Sequence, residues 1–170
     1  MTPIRIRRAE RGDLARITEI YNYYVVKTSI TFDVEPYTVG QREPWFAQFA
    51  YTGRHRLLVA EENEVLVGYV GTTKFRPKEA YETTVETTIY CAPNMVGKGI
   101  GQRLYAQLFE ELKGEDIHRY VAGYALPNAA SEALHRRLGF KIVGVFSENG
   151  RKFGKYWDVC WAERSGQYER

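Results

Sequence analysis

Three glycines at alternate positions, in Val96-Gly97-Lys98-Gly99-Ile100-Gly101, stand directly before the amphipathic run 102–113. Alternating glycines let a backbone come close to a ligand and turn several N–H groups toward one point. The free N–H groups and positive dipole end of the following helix then favour an anion, typically a phosphate. A nucleoside triphosphate, a dinucleotide and the pyrophosphate of a coenzyme A thioester all compete for such a loop, and a plain flexible turn is the alternative to all three.

A dinucleotide fold needs G-x-G-x-x-G in its first strand–helix turn. Here the third glycine comes one residue too early, and the loop lies past mid-chain. A triphosphate loop needs G-x-x-x-x-G-K-[ST], but Lys98 precedes the last two glycines and no Ser or Thr follows at that spacing. Both readings are weak.

The 170 residues suit one compact domain with a sizeable core. A net charge of +3, scattered over short clusters such as Arg54-His55-Arg56, is too small to argue for nucleic acid. Cys91 and Cys160 lack metal-ligand spacing, so neither a metal site nor a disulfide framework is expected. The charged N-terminus lacks the apolar segment of a signal peptide, and no run is long enough to span a membrane. A soluble, cytoplasmic protein without a membrane partner is the expectation.

Hydrophobic periodicity predicts the elements. Residues 4–7 alternate as a first strand. Asp13 is placed to cap a helix carrying Leu14, Ile17, Ile20, Tyr21 and Tyr24 on one face, and a second helix covers 39–50. Strands follow at 56–61 and 65–74 around Glu62-Asn63-Glu64, then at 81–91. After the loop helix come a strand at 118–125, a short helix at 128–138 stopped by Gly139, and strands at 141–146 and 155–162 around Glu148-Asn149-Gly150. Hairpins followed by helical crossovers give an α+β class: a mixed, mostly antiparallel sheet flanked by helices. Residues 1–164 form a single domain in this reading, and 165–170 a frayed tail.

The segments Thr84 to Tyr90, Gly97 to Tyr105, and Leu126-Pro127-Asn128 through Leu138-Gly139-Phe140 resemble the GNAT acetyltransferase superfamily. Its loop is usually Q/R-x-x-G-x-G/A; this chain keeps Gly99 and Gly101 but has Val96 where Gln or Arg is expected. Ile20-Tyr21-Asn22, the 28–36 loop, Phe75-Arg76-Pro77, His135 within Leu134 to Phe140, and the 150–158 segment narrow the resemblance to phosphinothricin-type and related L-amino acid N-acetyltransferases. It covers about residues 4–163.

This resemblance implies an acetyl-CoA co-substrate without a metal, direct attack by an amine, and a homodimer. It implies cofactor contacts from Ile89, Tyr90, Cys91, Gly97, Lys98, Gly99, Ile100, Gly101, Gln102, Asn128 and Ser131. The β-strand amides near Tyr90 and Cys91 would stabilise the thioester oxygen if the strand splays there. Glu86, a carboxylate set among Thr, Val and Ile in the segment Thr84 to Tyr90, becomes the candidate base. His135 is open between protonating the leaving thiolate, holding the cofactor and lying on the surface. Arg76 is the candidate grip on a substrate carboxylate, with Phe32, Phe75, Pro77 and Tyr81 walling the pocket and Lys152 and Phe153 nearby. The expected function is acetylation of the primary amine of a small amino acid or analogue. A protein or peptide N-acetyltransferase and a non-catalytic acetyl-CoA sensor are the rivals.

Overall fold

The computed structural model describes residues 3–166. One seven-stranded sheet runs in the order β1-β2-β3-β4-β5-β7-β6. Its strands are β1 (Arg5–Arg8), β2 (Leu57–Glu62), β3 (Val65–Lys74), β4 (Thr84–Cys91), β5 (Arg119–Ala125), β6 (Lys141–Lys152) and β7 (Lys155–Ser165). Every neighbouring pair is antiparallel except β4–β5. Helices α1 (Leu14–Lys27), α2 (Val39–Phe46), α3 (Ile100–Glu111) and α4 (Ala129–Arg137) flank it. The α+β expectation therefore holds.

Both faces of the central strands are covered, which is why β2 and β3 read as continuous apolar runs rather than as alternation. On one face Trp45 and Phe49 of the α2 region meet edge to face, and Trp45 reaches Tyr69 of β3. On the other, Leu104, Tyr105 and Leu108 of α3 are completely buried. Side chains of β4 alternate between these layers. Thr87 takes the Tyr105 hydroxyl at 2.9 Å on the α3 side, while Tyr90 packs on Tyr21, Tyr24 and Tyr69 on the α1–α2 side.

Several boundaries move, each for a local reason. Asp13 holds the N-cap position of α1, but its side chain makes no capping bond there. It ends a 3₁₀ turn at Arg11–Asp13, accepting the Glu10 N–H at 2.7 Å and pairing with Arg7 of β1 at 2.7 Å. Helix α2 stops at Phe46, not residue 50. It contains Pro44, which supplies no N–H, and 3₁₀-type bonds to the Trp45 and Phe46 carbonyls close the end. Asn63 and Glu64 both take positive φ, 51° and 63°, in a two-residue turn between β2 and β3. Residues 79–81 form a 3₁₀ turn, so β4 begins at Thr84.

The largest correction is at Glu148-Asn149-Gly150, which is not the last hairpin's turn. β6 continues through it as a bulge, its register against β7 jumping between Phe146 and Gly150 with Glu148 at φ 52°. The turn lies at Phe153-Gly154, both at positive φ. Gly150 admits no side chain because the Phe32 ring from the α1–α2 connection occupies the position a Cβ would take. Strand β7 runs to Ser165, paired with Arg119. Residues 167–170 of the expected tail lie outside the described residues.

Candidate active site

The parallel β4–β5 ladder pairs only Thr84–Glu86 with Arg119–Val121. Beyond Glu86, β4 stays on β3 up to Cys91, while β5 stays on β7 up to Ala125. The two strands therefore part, and the β5 side of the β4 backbone from residue 87 to 91 is left without a strand partner. Gly68 keeps β3 close here: a Cβ would meet Cys91 Sγ at 3.1 Å and the Tyr90 carbonyl oxygen at 3.2 Å. Tyr24 donates to the Cys91 carbonyl oxygen at 2.5 Å and fixes the end of the strand.

A cleft of about 370 Å³ occupies this opening. Ile89, Tyr90 and Cys91 wall one side, Asn128, Ser131 and Leu134 another, and Gly97, Gly99, Ile100, Gly101 and Gln102 close the end. Gly97 and Gly99 adopt φ 82° and 77°, and Gly99 is the residue before α3. This left-handed pair turns the backbone into the helix N-terminus, and side chains are absent where an anion would approach. At Gly101 a Cβ would meet Leu134 at 3.0 Å and Ile89 at 3.3 Å, so glycine sets how closely α3, α4 and β4 converge. Asn128 accepts the Ser131 N–H at 3.1 Å and caps α4. Of the expected cofactor residues, only Lys98 is not in the cleft wall; its ammonium lies 3.4 Å from Met95 Sδ.

A second cavity, about 460 Å³, lies on the α1–α2 side of β4. Glu86, Thr88 and Tyr90, at alternate positions, form its β4 wall. Tyr21, Asp33, Tyr37, Gln41, Arg42, Trp45, Tyr69 and Thr73 complete it. Tyr90 lines both cavities, so the two lie against the same point of β4. Burial pushes the Glu86 carboxyl above its ordinary value, and the positive charge of Arg76 opposes that rise. The thiol of Cys91 is driven by burial to about 11, so it stays protonated and a poor nucleophile.

The other expected substrate residues do not line this cavity. Arg76 is exposed, stacked 4.1 Å over Phe75, which touches Tyr81 and Trp161 edge to face. Pro77 is exposed beside them, and Phe32 lies against Gly150. Lys152 is buried with its ammonium on the Thr31 carbonyl oxygen at 2.8 Å. The cavity residues that sequence reasoning misses, Asp33 and Arg42 above all, come from the α1–α2 region, far from β4 in the chain. There Arg42 reads as one more solvated helix charge.

His135 lies neither on the surface nor on either cavity wall. It is 4% exposed, between the rings of Tyr124 and Phe140. Its Nδ1 sits 2.8 Å from the Ser131 carbonyl oxygen, which can only accept, so Nδ1 carries the proton and Nε2 faces the Tyr105 hydroxyl at 3.0 Å. Burial lowers its pKa, keeping the imidazole neutral. Replacing it with Ala is expected to cost about 2–4 kcal/mol of stability. As pH falls below about 6.5, the unfolded chain takes up a proton that the native imidazole resists, so this histidine makes the wild type less stable in acid. Thermal melts at neutral and mildly acidic pH check this: the wild-type midpoint should fall more on acidification than the His135→Ala midpoint.

An acetyltransferase (GNAT) domain profile matches residues 6–161. The chain is 49% identical over 163 residues to a phosphinothricin N-acetyltransferase of Streptomyces coelicolor, covering 95% of each chain. It is 35% identical to an L-methionine sulfoximine/L-methionine sulfone acetyltransferase of Salmonella typhimurium, covering 93% of this chain and 92% of that one. The crystal structure of a GNAT superfamily phosphinothricin acetyltransferase from Sinorhizobium meliloti, in complex with acetyl-CoA, superposes with a TM-score of 0.89 at 32% identity, over 97% of this chain and 89% of that one. The diverging strands and glycine loop thus lie in a chain that matches acetyltransferases along nearly its whole length, and it belongs to the GNAT acetyltransferase family.

Proposed function

We infer that this protein transfers the acetyl group of acetyl-CoA to the primary amine of a small amino acid or amino-acid analogue. The observation that carries this reading is that Tyr90 of β4 lines both the glycine-loop cleft and the cavity that holds the Glu86 carboxylate. The residues of the β4–β5 cleft fit the thioester: Gly97, Gly99 and the start of α3 offer N–H groups to its pyrophosphate, and Asn128 and Ser131 flank its pantetheine arm. Acetyl-CoA supplies an activated acyl carbon with a thiolate leaving group. The amine enters from the Glu86 side, forms the new C–N bond as the C–S bond breaks, and gives its proton to Glu86. Unpaired β4 amides near Tyr90 stabilise the carbonyl oxygen. Arg76, close enough to act on Glu86 electrostatically, holds the α-carboxylate from the rim. Cys91, held as a thiol, takes no acyl group.

The test is thiol release from acetyl-CoA with free amino acids, methionine sulfone, methionine sulfoximine and phosphinothricin, beside lysine peptides and a polyamine. Turnover confined to the amino-acid group is expected; turnover only on peptides or polyamines would overturn the acceptor class.

The working form in this reading is a homodimer in the cytoplasm. Strand β6 is bonded on one side only and exposes Ile142, Val143, Val145 and Phe146 at 49–63%, an apolar edge that a lone molecule would leave open to pairing. Sedimentation should give a dimer for the wild type and a folded monomer for Phe146→Asp with Ile142→Asp. A wild-type monomer would refute the assignment. Cys91 and Cys160 are both free thiols, which suits a reducing compartment. Among the described residues, no helix is long and apolar enough to cross a membrane.

A further inference from the structure

We propose that Arg42 determines acceptor specificity by receiving an oxyanion, such as a carboxylate or phosphinate, carried on the side chain of the amino acid. This deepens the acetyl-transfer reading above and rests on it. Arg42 is only 7% exposed, yet it lines the acceptor cavity. Its guanidinium carbon lies 3.9 Å from the Trp45 ring centre, 4.4 Å from Tyr21 and 5.6 Å from Tyr37. Ring faces attract a cation, but they do not accept the N–H bonds at its edge. Nε is enclosed without a hydrogen-bond partner among the described residues, and no carboxylate there pairs with the guanidinium.

A buried charge is normally paired and hydrogen-bonded, because removing it from water is costly otherwise. The obvious internal partner, Asp33, lines the same cavity but accepts a hydrogen bond from the Tyr21 hydroxyl instead. The fold therefore assembles an aromatic seat for a cation and leaves its Nε–H without an acceptor among the described residues. The same cavity is lined by Glu86, at the amine end of the acceptor. Arg76 stands outside this cavity, free for the α-carboxylate. Three polar points of an acceptor are then assigned: the amine to Glu86, the α-carboxylate to Arg76 and the side-chain oxyanion to Arg42. An apolar side chain would close the site while leaving the guanidinium unpaired, and is discriminated against for that reason.

The test measures kcat/KM for phosphinothricin, for methionine and for the α-carboxamide of each, in wild type, Arg42→Gln and Arg42→Lys. The phosphinothricin-to-methionine ratio should fall roughly 10- to 100-fold in Arg42→Gln and be partly kept by Arg42→Lys. The penalty for amidating the α-carboxylate should be the same in all three. An unchanged ratio, an equal loss on both acceptors, or a collapse of the α-amide penalty instead would overturn the proposal. Wild type alone tests it should neither variant fold, since an equal or reversed preference between the two acceptors refutes it. A wild type that acetylates peptides and no amino acid would sink the acetyl-transfer reading, and the Arg42 assignment with it. Normal amino-acid turnover with an unmoved ratio would sink Arg42 alone.

Discussion

Replacing Glu86 by Gln lowers kcat for acetyl transfer at neutral pH by about 10²- to 10⁴-fold, the range that a positioned general base contributes. The substitution keeps the size of the side chain and removes only its ability to take the proton. The ionised carboxylate is the active form, and burial raises its pKa. The wild-type rate should therefore fall with decreasing pH through an acid limb above the ordinary carboxylate range. The variant should lose that limb. Its deficit should narrow in alkaline solution, where the amine is already neutral. Arg76→Ala removes the one charge that pulls the Glu86 pKa down, so the acid limb should move to higher pH while KM rises for carboxylate-bearing acceptors. Profiles of kcat and kcat/KM against pH decide this. A Glu86→Gln enzyme with wild-type kcat at neutral pH would remove Glu86 from the chemistry.

Gly99→Val should raise KM for acetyl-CoA by at least roughly tenfold, with a much smaller change in kcat at saturating cofactor. Nothing lies within 4 Å of the position a Cβ would take at Gly99, so the cost is conformational rather than a clash. With φ at 77° the residue is left-handed, which costs an L side chain about 1–2 kcal/mol, more for a β-branched one. The backbone relieves this by rotating the N–H groups at the start of α3 away from the pyrophosphate. Acetyl-CoA stabilises whatever it binds in proportion to the logarithm of its concentration over Kd. The thermal shift it produces should accordingly shrink in the variant. An unchanged KM with an unchanged shift would show that the loop does not hold the cofactor.

Much of the framework was legible in the chain because local patterns and local chemistry agree. The α1 face of Leu14, Ile17, Ile20 and Tyr24 is buried as its spacing implies. The glycine loop sits at a helix start, and Asn128 caps α4 as well as lining the cleft. The Glu148-Asn149-Gly150 segment misled because polar residues with a glycine signal a turn and a bulge alike. Only the Phe32 ring, arriving from elsewhere in the chain, settles which one forms.

What the sequence determined by itself is the set of elements, the glycine loop and the lone carboxylate of β4, all encoded by residues close together in the chain. What only the tertiary structure decided is which polar groups are taken out of water and against what. His135 and Arg42 look alike as helix charges, yet one is locked between aromatic rings with its Nδ1–H on a backbone carbonyl. The other is seated on three aromatic rings without an acceptor for its Nε. Burial depends on contacts between segments far apart in the chain, and those contacts give two helix side chains entirely different surroundings.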